Sequence, residues 1–324
     1  MTAVIWNGIG TDNNWSTGDN WVGGTAPTTA DQVVFAGTTR LNPVCDLASD
    51  TFYGIVFAVG AGAFNLGNDI ILQGSVDNLS SNTQTIGSIA GTAWAGAGCS
   101  GTGNLIISSV NSGDGGSPTV SSSGTGYVEI NSINGSSTIA LTGGVLRVAN
   151  LNAAVNVTNG AELQLFNAGS LTGNVSLVAS TLSTVGNASL SGDVTADSSS
   201  TIKPGGIISS VDVATLDGTA YLVDIDGAGP TADKITAYDI VLSNAPTLTV
   251  STLTNSSDGK VYTILSASNS LTGTFSGLAD AAIIAKSGRT LRINYTAKTV
   301  TLTDLRNSRV GGSGQTIGMG LVLR

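Results

Sequence analysis

Apolar positions in this chain come in short runs separated by glycine, asparagine and serine. Gly54-Ile55-Val56-Phe57, Ile70-Ile71-Leu72, Leu105-Ile106-Ile107 and Val145-Leu146-Arg147-Val148 are too short for helices and rich in β-branched residues. Each is bounded by residues that favour turns. Between 155 and 202 a period is visible. Val155, Val175 and Val194 stand 20 and 19 residues apart, followed seven or eight residues later by Leu163, Leu182 and Ile202. Gly173-Asn174-Val175-Ser176 also matches Gly192-Asp193-Val194-Thr195 in kind. A period near 20 residues fits one rung of a parallel β-solenoid, in which each rung covers only its neighbours and both ends need caps. A multi-sheet β-sandwich with evenly spaced turns is the alternative.

The pattern divides the chain into four stretches. Residues 1–45 hold Trp6, Trp15 and Trp21 among Asn-Gly and Asp-Asn turns and read as an N-terminal Trp-rich cap. Residues 46–205 read as the solenoid body. From 206 to 304 the runs lengthen and alternate better, as in Tyr221-Leu222-Val223-Asp224-Ile225 and Thr290-Leu291-Arg292-Ile293-Asn294-Tyr295. That stretch predicts a C-terminal, β-sandwich-like closing unit. Residues 305–324 carry Gly311-Gly312-Ser313-Gly314 and then Leu321-Val322-Leu323, a glycine-linked arm with a short terminal strand.

Composition strengthens the all-β reading. Of 324 residues, 41% are hydrophobic and only 10% charged, which supports a sizeable core and argues against disorder. Glutamate occurs only at Glu129 and Glu162, so helices would have to be built from Ser, Thr, Asn and Gly. No window holds the 18 or so apolar residues of a membrane helix. Met1-Thr2-Ala3-Val4-Ile5-Trp6 shows no basic segment before an apolar run, so the expectation is assembly in a cytoplasm or export after removal of a leader.

The net charge of −9 is unevenly spread. Residues 1–200 have Arg40 and Arg147 against twelve acids, a net of −10, whereas residues 286–324 have seven cations against Asp304, a net of +6. An acidic body with a basic end suggests electrostatic docking of that end on an acidic partner. The bland reading is that these cations solvate the last strands. Nucleic acid is not expected as a partner, because the acidic body repels phosphates.

Candidate chemistry is sparse. The absence of histidine removes the commonest ligand and general base. Cys45 and Cys99 lack metal-ligand spacing and are either one disulfide or two buried thiols. Asp224, Asp226, Gly227 and Asp233 suggest half a calcium loop, but no glutamate closes it and Pro230 intervenes, so a turn between strands is favoured. Glu129 and Glu162 could share one side of a solenoid groove, where a hydrolase would need two facing carboxylates, but nothing in the sequence pairs them. Ser121-Ser122-Ser123 and Ser198-Ser199-Ser200 have no base to activate them and read as turns. Trp94 is either a sugar-stacking platform or a ring buried under a loop. No catalytic residue, cofactor or metal is expected.

The order Trp6-Asn7-Gly8, Asn14-Trp15-Ser16, Asn20-Trp21, Pro27, Asp31 and Val33-Val34-Phe35 resembles the start of autotransporter-associated β-strand repeat proteins. Phe52-Tyr53-Gly54-Ile55-Val56-Phe57 and Phe64-Asn65-Leu66-Gly67 are similar to their repeat. Asp233-Lys234-Ile235-Thr236, Tyr262-Thr263-Ile264-Leu265 and Leu271-Thr272-Gly273-Thr274-Phe275 resemble their closing unit. The resemblance implies a β-helical, surface-exposed fold without catalysis. Texture of this kind is also similar to that of phage head-decoration and fibre proteins. The expected function is therefore structural, at a virion surface, with a capsid or tail protein or copies of the chain itself as partners in a homo-oligomer. A secreted bacterial adhesin or surface-layer protein, and a carbohydrate-active β-helix bound to cell-surface glycan, are the alternatives. The expected docking residues lie in the arm: Arg306, Arg309, Ile317, Leu321 and Leu323. Its apolar side chains would add a strand to a partner's open sheet edge while the arginines hold it to an acidic surface.

Overall fold

Every second residue of a strand points to the same side, so short alternating runs can bury one edge of a coil while leaving the other in water. The computed structural model describes residues 2–29, 31–47, 51–91, 94–112, 117–135, 138–228 and 231–305. Strand makes up 59% of the molecule, no α-helix occurs among the described residues, and stacked parallel coils form a β-solenoid. The β-helix expected from the 20-residue period is the architecture found.

Three ladder faces build the stack, the first beginning at Ala3, the third at Thr51 and the second at Asn65. On the first, Ala3–Trp6, Gln32–Phe35, Gly54–Phe57, Ser75–Asn78, Gly96–Cys99 and Thr119–Ser122 lie side by side in parallel. The ladder continues through Val155–Val157 and Val175–Leu177, where Val155, Val175 and Val194 pair in register as their spacing predicts. The second face aligns Leu105, Val128, Leu146, Leu163, Leu182 and Ile202, and so contains the other predicted column. The third aligns Ile70, Ile89, Val110, Ile133, Leu151 and Leu171. All these side chains are buried and fill the interior between the faces. Each contributes about 1.5–3 kcal/mol relative to exposure.

The corner between the first and second faces explains much of the glycine and serine. Asn78, Cys99 and Ser122 occupy one register position, point inward, and donate to the carbonyl four residues on, at Asn82, Gly103 and Gly126. Three different side chains thus close the same turn. Above one another sit Gly101-Thr102-Gly103 and Gly124-Thr125-Gly126. A Cβ at Gly124 would stand 1.9 Å from the Gly101 carbonyl oxygen, so the coils stack here only without a side chain.

Both ends are closed by chain that departs from the coil. At the N-terminal end Trp6, Trp15 and Trp21 are at most 1% exposed and pack edge-on, with centroids 5.0 and 5.7 Å apart. Phe35, Phe52, Phe57 and Phe64 extend this aromatic plug into the first coils. Trp21 donates to the Trp15 carbonyl, and buried Asn20 ties Gly10, Asp12 and Asn14 together. Parallel pairing does not stop at the sequence boundaries near 45 and 205. It includes Ala3–Trp6 and runs on through Ile207–Asp217, Ala220–Asp226, Lys234–Ser243 and Thr247–Thr254. Their inward residues keep the register of earlier coils, Tyr221 pairing with Ile202 and Ile240 with Ala214. The stack ends where the chain reverses: Val261–Thr272 pairs antiparallel with Thr299–Leu305, which pairs with Arg289–Tyr295, which pairs with Ile283–Lys286.

Candidate functional site

Polar side chains on the body are largely used to hold coils together. Asn174 Oδ1 accepts the Asp193 backbone N–H of the next coil at 3.0 Å, and Asp193 Oδ1 accepts that of Val213 at 3.2 Å. Asp239 does the same for Ser270. Such bonds along the stack satisfy corner donors that the ladder leaves open.

The second face carries the densest mixed chemistry. Glu129, Arg147 and Gln164 stand in one outward column, in register. Arg147 binds Glu129 at 2.9 Å and Gln164 at 2.9 Å, and its guanidinium lies 4.8 Å from the Tyr127 ring centroid and 5.0 Å from that of Phe166. Phe166 is buried outside the main core, beneath this arginine. Glu162 accepts from Ser183. Glu129 and Glu162 do share the outward side of this face, but their carboxylates serve cross-coil contacts to Arg147 and Ser183.

Near the C-terminal end, a cleft of about 560 Å³ is lined by Asn187, Asp224, Asp226, Asp233, Lys234 and Thr252, among others. Asp224 and Asp226 lie on Ala220–Asp226, which turns back as a hairpin onto Thr231–Ala232. Asp233 accepts the Asp224 N–H at 2.9 Å and returns its own N–H to the Asp224 carbonyl. Asp224 accepts from Thr252, while Asp226 accepts from the Ala228 N–H, Thr254 and Asn255. The acids shape a turn between strands. No group of three or more His, Cys, Asp or Glu side chains is gathered as metal ligands among the described residues. Burial, with the nearby Asp224 charge, pushes the Asp233 carboxyl up to about 6, against the backbone hydrogen bond and Lys203.

Trp94 is 2% exposed, which settles it as a buried ring. Cys45 and Cys99 form no disulfide. Cys99 is buried, and that burial raises its thiol to about 11. Arg306, Arg309, Ile317, Leu321 and Leu323 lie outside the described residues. Of the basic end within the structure, Arg289 is bound by the fully buried Asp304 and by Asp258, and Lys298 donates to the Ser268 carbonyl. Lys286 and Arg292 make no ion pair among the described residues.

One surface feature was not singled out from the sequence. On the first face one outward column of the earliest strands is apolar: Ile5, Val34 and Val56 pair in register and continue to Asp77, beside a second column of Ala3, Gln32 and Gly54. Val22 extends the column, since its N–H donates to the Ile5 carbonyl and Trp21 bridges Trp6 antiparallel. Val22 is 58% exposed and Ile5 36%. Later outward positions on this face are polar: Asn156, Ser176, Thr195 and Thr215. The signal was available as unbroken apolar runs, Val33-Val34-Phe35 and Ile55-Val56-Phe57, against the alternation of Val155-Asn156-Val157.

These features define a capped, three-faced parallel β-solenoid with an acidic body and an apolar strip at one end. No protein-family model matches the chain, and no curated protein matches it. No helix of the described residues is long and apolar enough to cross a membrane.

Proposed function

We propose that this chain is a non-catalytic structural surface protein, a decoration or fibre subunit of a phage particle, held in place by its C-terminal arm. The observation that carries this reading is the division of labour between body and end. In the body, Arg147, Glu129, Glu162 and the corner acids bond from coil to coil, and Trp94 is buried. Among the described residues Lys203, Lys234, Lys286 and Arg292 make no ion pair, all of them in the C-terminal part of the chain, and the sequence of the arm adds Arg306, Arg309 and Arg324. A rigid rod with a sticky, basic end is suited to attachment, and its polar flanks are suited to solvent.

The test is deletion of 306–324. The body is expected to keep its strand spectrum and its melting temperature, while incorporation into the particle or oligomer is lost. Arg306→Ser with Arg309→Ser should weaken attachment chiefly as salt rises, since exposed charge contacts are screened over about 8 Å at physiological ionic strength. Full occupancy by the truncated chain would refute the reading.

A further inference from the structure

The apolar strip at the N-terminal end has a composition and a charge setting that fit one particular occupant. We propose that it receives the C-terminal arm of a second copy of this chain, so that copies join head to tail; the proposal rests on the arm being the attachment element. Ile5, Val22, Val34 and Val56 form an aligned outward column on a flat ladder. Water covers such a surface poorly, and further along that face the outward residues are mostly polar, with Val178 and Val241 as isolated apolar positions. In an extended segment, Ile317, Met319, Leu321 and Leu323 alternate with smaller or polar neighbours and share one side. They are the chemical complement of the strip.

Charge points the same way. Around the strip stand Asp19 before Val22, Asp31 at the start of the Val34 strand, and Asp77 next to Val56 in register. Asp31 accepts from the Thr28 hydroxyl and N–H, which hold its carboxyl below the usual range and keep it charged. Arg40, the sole cation of the first fifty residues, is turned to the Gly10 carbonyl and Asn13. The arm carries Arg306, Arg309 and Arg324 and no acid side chain. By contrast, its own end of the solenoid presents Lys286 and Arg292, which repel it.

Reach decides between the chain's own arm and a neighbour's. Eleven successive pairings separate the Val34 strand from the last strand of that face, Val261–Thr272. At about 4.8 Å each, they span roughly 53 Å. The twelve residues from Leu305 to Ile317 cover at most about 43 Å when fully extended. An arm leaving Leu305, beyond that last strand, cannot bring Ile317 to its own strip, so only a neighbour's strip can take Ile317, Met319, Leu321 and Leu323 together. A contact between two different surfaces is heterologous and propagates into a ring or an open fibre.

The experiment uses the full chain and sedimentation velocity at low salt up to about 100 µM, a range that captures micromolar contacts. The wild type is expected to self-associate. A strip variant, Val22→Lys with Val34→Lys, and an arm variant, Ile317→Ser with Leu321→Ser, should each be monomeric and retain the strand spectrum. Because each variant keeps the half that the other lacks, an equimolar mixture should form a 1:1 dimer and nothing larger. If the lysine strip variant misfolds, Val22→Thr with Val34→Thr takes its place, with at least tenfold weaker association expected. A wild type that stays monomeric overturns the proposal. Association of the strip variant at wild-type strength, with the arm variant monomeric, overturns the strip as acceptor but leaves the arm as the attachment element. Wild-type association of both variants overturns both.

Discussion

Asp233 should make this protein more stable in mild acid than at neutral pH, and one substitution should remove the effect. The residue is 7% exposed, and its carboxyl is raised from 3.8 to about 6, first by burial and then by Asp224, with Lys203 opposing. A carboxyl whose folded value lies above its unfolded value binds its proton more tightly in the native state. Its contribution is therefore unfavourable above pH 6 and relieved as pH falls towards 4. About two pKa units correspond to roughly 3 kcal/mol. Asp233 borders the cleft, through which water reaches it, so about 1–3 kcal/mol is expected. Asp233→Asn keeps a carbonyl oxygen to accept the Asp224 N–H while removing the charge. Chemical denaturation of both proteins from pH 4 to 7.5 gives a difference curve in which the other carboxylates cancel. The variant should be about 1–3 kcal/mol more stable at pH 7.5 and equal to wild type near pH 4. A variant no more stable at pH 7.5, or a flat difference curve, would refute the reasoning.

Gly124→Ala places a Cβ 1.9 Å from the Gly101 carbonyl oxygen and should lower stability by about 1–3 kcal/mol in denaturation, as overpacking does. Arg289→Met leaves buried Asp304 without its main partner and should lower the melting temperature by several degrees; adding Asp304→Asn should recover much of the loss. Because Asp224, Asp226 and Asp233 are used in a hairpin, millimolar calcium or a chelator should leave the melting curve unchanged.

The repeat was legible where the coils are regular. Val155, Val175 and Val194 sit on one ladder, and Leu163, Leu182 and Ile202 on another, because nothing between them changes the coil length by more than a residue. Elsewhere the period is hidden. Phe166 to Gly169 bulge at a corner, and the hairpin after Asp226 stretches a coil, so that Tyr221 pairs with Leu248. The corner formed by Asn78, Cys99 and Ser122 shows no residue identity, only a shared ability to donate to the same carbonyl. Counting charge along the sequence sets Asp304 against the seven cations of the basic end but does not say which of them it meets. Arg289 meets Asp304 across an antiparallel strand pair that charge counting cannot see. The tryptophan cap was legible as a unit, but its burial comes from seven aromatic rings collected from several coils.

The central claim is that the solenoid is a passive rod attached through its C-terminal end. Electron cryomicroscopy of the assembled particle or fibre tests it most directly, because the tryptophan-capped end and the antiparallel closing end differ in shape. The account predicts that the closing end, with residues 306–324 extending from Leu305, contacts the neighbouring subunit while the flanks of the solenoid face solvent. Density in which the flanks pack side by side, with the closing end and its arm free in solvent, would contradict it.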